Sequence, residues 1–280
     1  MISYIVLVAL AGVVALLFYR RTQWHHRTRG LRSQILSGQE AQGDRYDPAA
    51  LAELPPPVKQ YFETVLTEGQ AVVASVQMTQ KGTFNMSETG EVWRSFVAEQ
   101  LVVSRRPGFL WHARMRILPG FSVRVHDAYA RGEGVLTVSL LGALTIAEMR
   151  DHQSVAQGEL FRYLAEAAWY PTALLPSSNL TWSPVDDRSA IATLTDGEVQ
   201  VSLLVRFSQD NLIESVRAEA RGRAVGGKTI PTPWEGRWQA YESRDGMLVP
   251  TEGEVAWLLP EGRKPYWRGT VTGIQYQFAE

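Results

Sequence analysis

The residues best able to do chemistry cluster in residues 158–171. Glu159, Arg162 and Glu166 recur at the three- and four-residue spacing of one helix face. On a solvated helix such a row is an ion-pair ladder worth a few tenths of a kcal/mol. In an apolar setting a buried carboxylate must be paired or take up a proton, and a carboxyl group kept protonated near neutrality can act as a general acid. Asp127 joins the set because it shares the apolar phase of its segment with Val125 and Tyr129. The plain reading is a surface ladder or a structural ion network. The sharper one is a polar patch in a mainly apolar cavity, the usual design of a ligand site. The candidate ligand-binding residues are Asp127, Glu159, Arg162, Tyr163, Glu166, Trp169, Trp234 and Trp257. No residue is assigned a catalytic role.

Other constellations carry less. The histidines are His25, His26, His112, His126 and His152, and none has a metal-binding H-x-x-x-H spacing. His112 and His126 fall on adjacent strands beside Arg114, Arg116 and Arg124. Their spacing allows a metal pair or an anion site, but a solvated strand face is the expectation, and no metal ligand is assigned. Gly222-Arg223-Ala224-Val225-Gly226-Gly227-Lys228-Thr229 matches the phosphate-loop pattern letter for letter. That loop works only where a helix starts at its Gly-Lys, and Pro231 and Pro233 forbid one here. A glycine hairpin turn is the better account. There is no G-x-S-x-G elbow, and the absence of cysteine removes disulfides and thiol chemistry.

Two kinds of element must position these groups. Leu160, Phe161, Leu164, Ala167 and Ala168 form a helical apolar stripe ended by Pro171. Almost everything else after residue 70 alternates with a period of two, as half-buried antiparallel strands require. Examples are Val72-Ala74-Val76-Met78, Phe109-Trp111-Ala113-Met115-Ile117 and Val199-Val201-Leu203-Val205-Phe207; residues 135–146 form a longer apolar stretch. Asp186-Asp187, Asp196-Gly197, Asp210-Asn211, Gly226-Gly227 and Asp245-Gly246 supply hairpin turns. The pattern predicts about eleven or twelve strands. Pro55-Pro56-Pro57 opens a short amphipathic helix bearing Val58, Tyr61, Phe62, Val65 and Leu66. The predicted fold is mainly β: a large curved antiparallel sheet, or open half-barrel, with the central apolar helix on its inner face.

Residues 2–19 are apolar and reach roughly 27 Å as a helix, enough to cross a hydrocarbon core. A cleaved signal peptide is the competing reading, but no basic n-region and no small-x-small site precede Arg20. Arg20, Arg21, Arg27, Arg29 and Arg32 follow directly, which predicts a single-pass membrane protein with its C-terminal domain in the cytoplasm; the periplasmic or extracellular side is the alternative. The expected division is an anchor over 1–20, a basic flank and polar linker over 21–54, and one β-rich domain over 55–280. A net charge of −1 gives no field for nucleic acid. Nine tryptophans and ten tyrosines suit strand faces and cavity linings.

Arg162-Tyr163-Leu164-Ala165-Glu166, Trp169 and the run from Pro171 to Ser177 resemble the signature of an uncharacterised bacterial family, a domain of unknown function. So do Pro231-Thr232-Pro233-Trp234-Glu235-Gly236-Arg237, residues 253–263 and Tyr266-Trp267-Arg268-Gly269. The resemblance spans residues 54–278 and implies a bacterial origin but no activity. In architecture alone, strands curved around an apolar helix are similar to lipoprotein carriers of the LolA/LolB type, which hold acyl chains in an open half-barrel.

The resulting expectation is a membrane-anchored protein that binds a lipid or other hydrophobic small molecule. Its alternatives are an enzyme on a lipid-like substrate, using Asp127, Glu159 or Glu166 as acid or base, and a membrane-tethered scaffold. No cofactor is assigned, and nothing fixes an oligomeric state.

Overall fold

The period of two becomes one antiparallel sheet of thirteen strands in a computed structural model that describes residues 2–37, 43–87, 90–150 and 153–279. His152 lies outside the described residues. The first meander comprises β1 (Val73–Asn85), β2 (Trp93–Val103), β3 (Gly108–Leu118), β4 (Phe121–Ala130), β5 (Glu133–Leu140) and β6 (Leu144–Arg150). The second comprises β7 (Leu180–Asp186), β8 (Ser189–Asp196), β9 (Val199–Phe207), β10 (Ile213–Val225), β11 (Lys228–Arg244), β12 (Met247–Leu259) and β13 (Gly262–Phe278). The two meanders join where β1 pairs with β13, leaving β6 and β7 as the edges.

The central helix, α3 (Gln153–Glu166), connects those two edges in sequence, so it must cross the interior. It packs on β4 and β5 from one meander and on β9 and β10 from the other. One helix can touch both ends of an open sheet only if the sheet curls around it. Tyr129 Oη donates to Asp196 Oδ2 at 2.9 Å, tying β4 to β8 beside the helix. The predicted stripe of Leu160, Phe161, Leu164, Ala167 and Ala168 is buried, but so are Glu159, Tyr163, Ala165 and Glu166. The expected solvated ion-pair ladder is not formed: Gln153, Ser154 and Gln157 in the first turns are exposed, but Glu159 and Glu166 are buried and Arg162 is largely covered. The predicted short helix is α2 (Pro56–Val65), with Val58, Tyr61, Phe62 and Val65 buried.

Two stretches depart from the simple alternation read in the sequence. In β2, Leu101, Val102 and Val103 are all buried, so both faces are apolar and the alternation disappears. Residues 135–146 divide into β5 and β6 at Leu141 and Gly142, which take positive φ of 57° and 70°. Gly226 and Gly227 make the turn between β10 and β11, as expected in place of a phosphate loop.

The first helix, α1 (Ile2–Leu36), runs past the expected end of the anchor and through the segment read as flank and the start of the linker. Its N-terminal portion is long and apolar enough to cross a membrane and has no surface buried against the rest of the chain; a signal sequence has the same character. Its C-terminal portion docks on the outer face of the sheet. Leu31 and Ile35 pack with Leu101, Val103, Leu110, Ala128 and Val135. The Trp24 indole stacks on the His126 ring at 3.8 Å and 10°, and its Nε1 donates to His112 Nε2 at 3.3 Å. The strand face of His112 and His126 is therefore not solvated, contrary to expectation: His126 is fully buried. Burial, with His112, Arg27, Arg124 and Arg150 close by, drives His126 down to about 3. A neutral imidazole under an indole is packing. No cluster of three or more metal-ligating side chains occurs among the described residues.

Candidate functional site

Between α3 and the inner face of the sheet lies a cavity of about 320 Å³. Its walls are largely apolar and aromatic: Trp111, Met115, Val123, Leu136, Trp238, Val255 and Trp267, with Ala165 on the helix side. Two glycines set its shape. A Cβ at Gly253 would run into the Trp238 ring from the next strand, and one at Gly269 into the Trp267 ring of its own strand, so both indoles take up their places only because those positions are bare. An outer vestibule of about 440 Å³ shares Phe84, Met86, Leu136, Glu159, Arg221 and Tyr266 with the inner cavity and leads to the surface.

One wall is polar. Arg162 Nη1 meets Asp127 Oδ2 at 2.5 Å and its Nε meets Glu166 Oε1 at 2.7 Å. The guanidinium lies 4.9 Å from the Trp111 ring and 5.0 Å from Phe109, which adds cation–π attraction where water is excluded. The remaining Glu166 oxygen accepts from Gln100 Nε2 at 2.6 Å. Gln100 in turn accepts from Gln80 Nε2 at 3.0 Å, and Gln80 accepts from Trp111 Nε1 at 2.8 Å. The chain fixes the position of the arginine and satisfies almost every buried polar atom along it.

The exception is the carboxyl pair. Burial first, then the neighbouring Asp127, pushes Glu159 well above the ordinary carboxylate range, while Arg162 and Arg221 pull the other way. Glu159 and Asp127 face each other as a carboxyl pair, and that proximity is part of what raises Glu159. Apart from that pairing, Glu159 Oε2 and Asp127 Oδ1 have no partner. These oxygens belong to residues that line the cavity. On the vestibule side, Arg221 donates to Gly158 O at 3.0 Å and sits 4.8 Å from the Trp234 ring, while Trp234 Nε1 donates to Tyr266 Oη at 2.8 Å.

Of the eight candidate residues, Asp127, Glu159, Arg162, Glu166 and Trp234 line the inner cavity. Trp257 lines the vestibule, stacked on Tyr266 at 5.5 Å. Tyr163 and Trp169 stand apart. Tyr163 Oη donates to Ser104 O at 3.1 Å, and Trp169 packs edge-on against Trp238 at 5.0 Å; both are core residues that hold the helix and a cavity wall. Sequence reasoning missed Gln80, Gln100 and Arg221; Tyr266 belongs to an aromatic cluster for which cavity lining is the sharper of two sequence readings, without being one of the eight candidates. For the two glutamines a signal existed: Gln80 continues the inward phase of Val76 and Met78, where an amide is out of place unless it is paired.

The chain belongs to a family of unknown function, DUF6920, whose model matches residues 52–276. A sequence comparison with curated proteins finds no match. Among solved structures, the chain is similar to a LolA superfamily protein from Nitrosomonas europaea, at 11% identity and a TM-score of 0.40, covering 79% of this chain and 92% of that one. It is similar to a DUF1329 family protein from Desulfovibrio piger at 11% identity and a TM-score of 0.39, covering 83% and 94%. A β-barrel-like DUF1849 protein from Brucella abortus follows at 9% identity and 0.24, covering 74% and 99%. Likeness at this level carries no function across.

Proposed function

We propose that the protein is a membrane-anchored binding protein that takes up a lipid or other hydrophobic molecule in the cavity beside α3. The observation that carries this reading is the combination of unfilled, aromatic-walled space with a single polar wall, reached through a vestibule. The apolar part of the ligand lies along Trp111, Trp238 and Trp267, and its polar end meets Glu159 and Asp127. Arg162 is already committed to two carboxylates, so it orients the wall rather than capturing an anion. The apolar half of α1 is the anchor, and the arginines after it favour a cytoplasmic domain.

Native mass spectrometry of gently purified protein tests the reading. The expected result is a co-purifying apolar mass that is lost in Val255→Phe, which fills the cavity. Protein that is empty as isolated, and that binds no fluorescent fatty acid after delipidation, overturns it. A reporter fused to the C-terminus tests the orientation.

The convergence of Asp127 and Glu159 favours one alternative, an enzyme on a lipid-like substrate with Glu159 as general acid. Turnover of a bound ester or glycolipid that is lost in Glu159→Gln, with binding retained, would establish it.

A further inference from the structure

Outside α1, six of the ten exposed large apolar side chains among the described residues gather at one rim; Val97, Ile146, Met149 and Val185 lie elsewhere on the strands. Along the sheet, the hairpin tips joining β10 to β11, β12 to β13, β1 to β2, β3 to β4 and β5 to β6 form one continuous rim. Met86, Val92, Leu118, Phe121, Leu144 and Ile230 are exposed at these tips or within three residues of them. This rim bounds one side of the vestibule, at Asn85, Met86, Ala224 and Thr229; Met149, Ser154 and Val155, at the end of β6 and the start of α3, bound the other.

The course of α1 says what covers this rim. The helix starts its docked path at the far rim, where Arg131 donates to Ser37 Oγ at 2.9 Å. It passes Leu110 and Ala128 at Leu31, then His126 at Thr28, with Thr28 Oγ1 2.8 Å from His126 Nε2. At Trp24 it reaches Gly142, in the turn between β5 and β6. From Trp24 to Arg20 is about 6 Å of helix, or roughly two residues of strand. Arg20 therefore stands level with the tips carrying Phe121 and Leu144, and the apolar residues before it project beyond them. A bilayer holding those residues begins where the rim ends.

From this continuity we infer that the rim is a lipid-facing surface: Leu118, Phe121 and Leu144 dip into the bilayer beside α1, and the vestibule opens onto lipid rather than water. The inference rests on the reading of α1 as a membrane anchor and adds the route by which an apolar ligand enters. It requires no aqueous carrier step.

The absence of native cysteine makes the test direct. Leu10→Cys, Phe121→Cys, Leu144→Cys and Val185→Cys are each introduced alone into the full chain, labelled with a nitroxide and reconstituted in phosphatidylcholine–phosphatidylglycerol vesicles. Val185 is exposed but lies beside the turn between β7 and β8, on the opposite rim. Accessibility to oxygen and to a water-soluble nickel chelate then reports depth. The expected result is labels at 10, 121 and 144 severalfold less accessible to nickel than the label at 185. A label at 10 in lipid with those at 121 and 144 as wet as 185 overturns the docking and leaves the cavity reading standing. A label at 10 in water removes the anchor and the docking together, while ligand co-purification still decides the cavity independently.

Discussion

The sheet buries titratable groups on both of its faces, with opposite results. Inside, Arg162 holds Asp127 and Glu166, and Glu159, its carboxyl pushed well above the ordinary range by burial, sits beside them at the edge of empty space. Outside, His126 is just as deeply buried, but an indole lies flat on it and fills the gap. Burial and a displaced pKa are common to the two places; among the described residues, the orphaned oxygens of Asp127 and Glu159 belong to side chains that line a cavity, whereas the groove on the outer face is lined by Thr28, Arg32 and His112 and does not reach His126. A perturbed group therefore marks a candidate binding site only when the packing around it leaves room for something else.

The comparison is broken most forcefully at Arg162. Arg162→Met leaves two buried carboxylates without a cation and should cost about 3–5 kcal/mol in urea unfolding at pH 7. A loss under 1 kcal/mol would mean that the inner network is solvated. Outside, Trp24→Ala removes the indole from the sheet and should cost about 3 kcal/mol of docking free energy. The expected readout is local: faster hydrogen exchange over residues 24–36 and in β3 and β4, with little change inside.

The third effect separates the faces by pH. His126 is driven to about 3 when α1 is docked, whereas a freed imidazole titrates near its model value of 6.5. The undocked state thus binds more protons below pH 6.5, so docking is strongest above that pH and weakens as the pH falls toward 3. Between pH 7 and pH 5 the loss should be about 2 kcal/mol. Hydrogen exchange of α1 at the two pH values measures it, and equal protection at both would refute a buried neutral imidazole. Glu159 behaves with the opposite sign. Its raised value means that the folded state keeps a proton the unfolded chain gives up, so this contribution is complete below its model value of 4.5 and fades as the pH rises above it. The smallest expected effect follows. Glu159→Gln replaces the buried carboxyl by an uncharged amide of the same size and should change stability by less than about 1 kcal/mol at pH 7, while removing that upward-pH loss. Urea midpoints from pH 4 to 8 compare the two proteins.

Much of this arrangement was legible in the residues. Alternation located most strands, Asp245-Gly246 and Gly226-Gly227 marked their turns, and the lone helical stripe identified α3. Asp127 was placed correctly by phase alone, since its neighbours Val125 and Tyr129 face the same interior. The misses on the outer face have a common cause: they lie where a second layer covers the sheet. β2 lost its alternation because α1 makes its outer face apolar too, and His112 and His126 read as wet because the covering segment carries five arginines. A basic sequence was taken for a flank, yet Trp24, Leu31 and Ile35 recur within it at helical spacing. Arg221 was hidden by the bulge between Ala218 and Arg221, which shifts the phase of β10.

Because α1 is unbroken from Ile2 to Leu36, no swivel separates its apolar half from the half bonded to the sheet. Each residue of helix advances the azimuth by about 100°. One alanine inserted between Arg21 and Trp24 would turn the apolar half by that angle and carry the domain around it like a flag on a twisted pole, pointing the vestibule elsewhere without altering a single contact inside it.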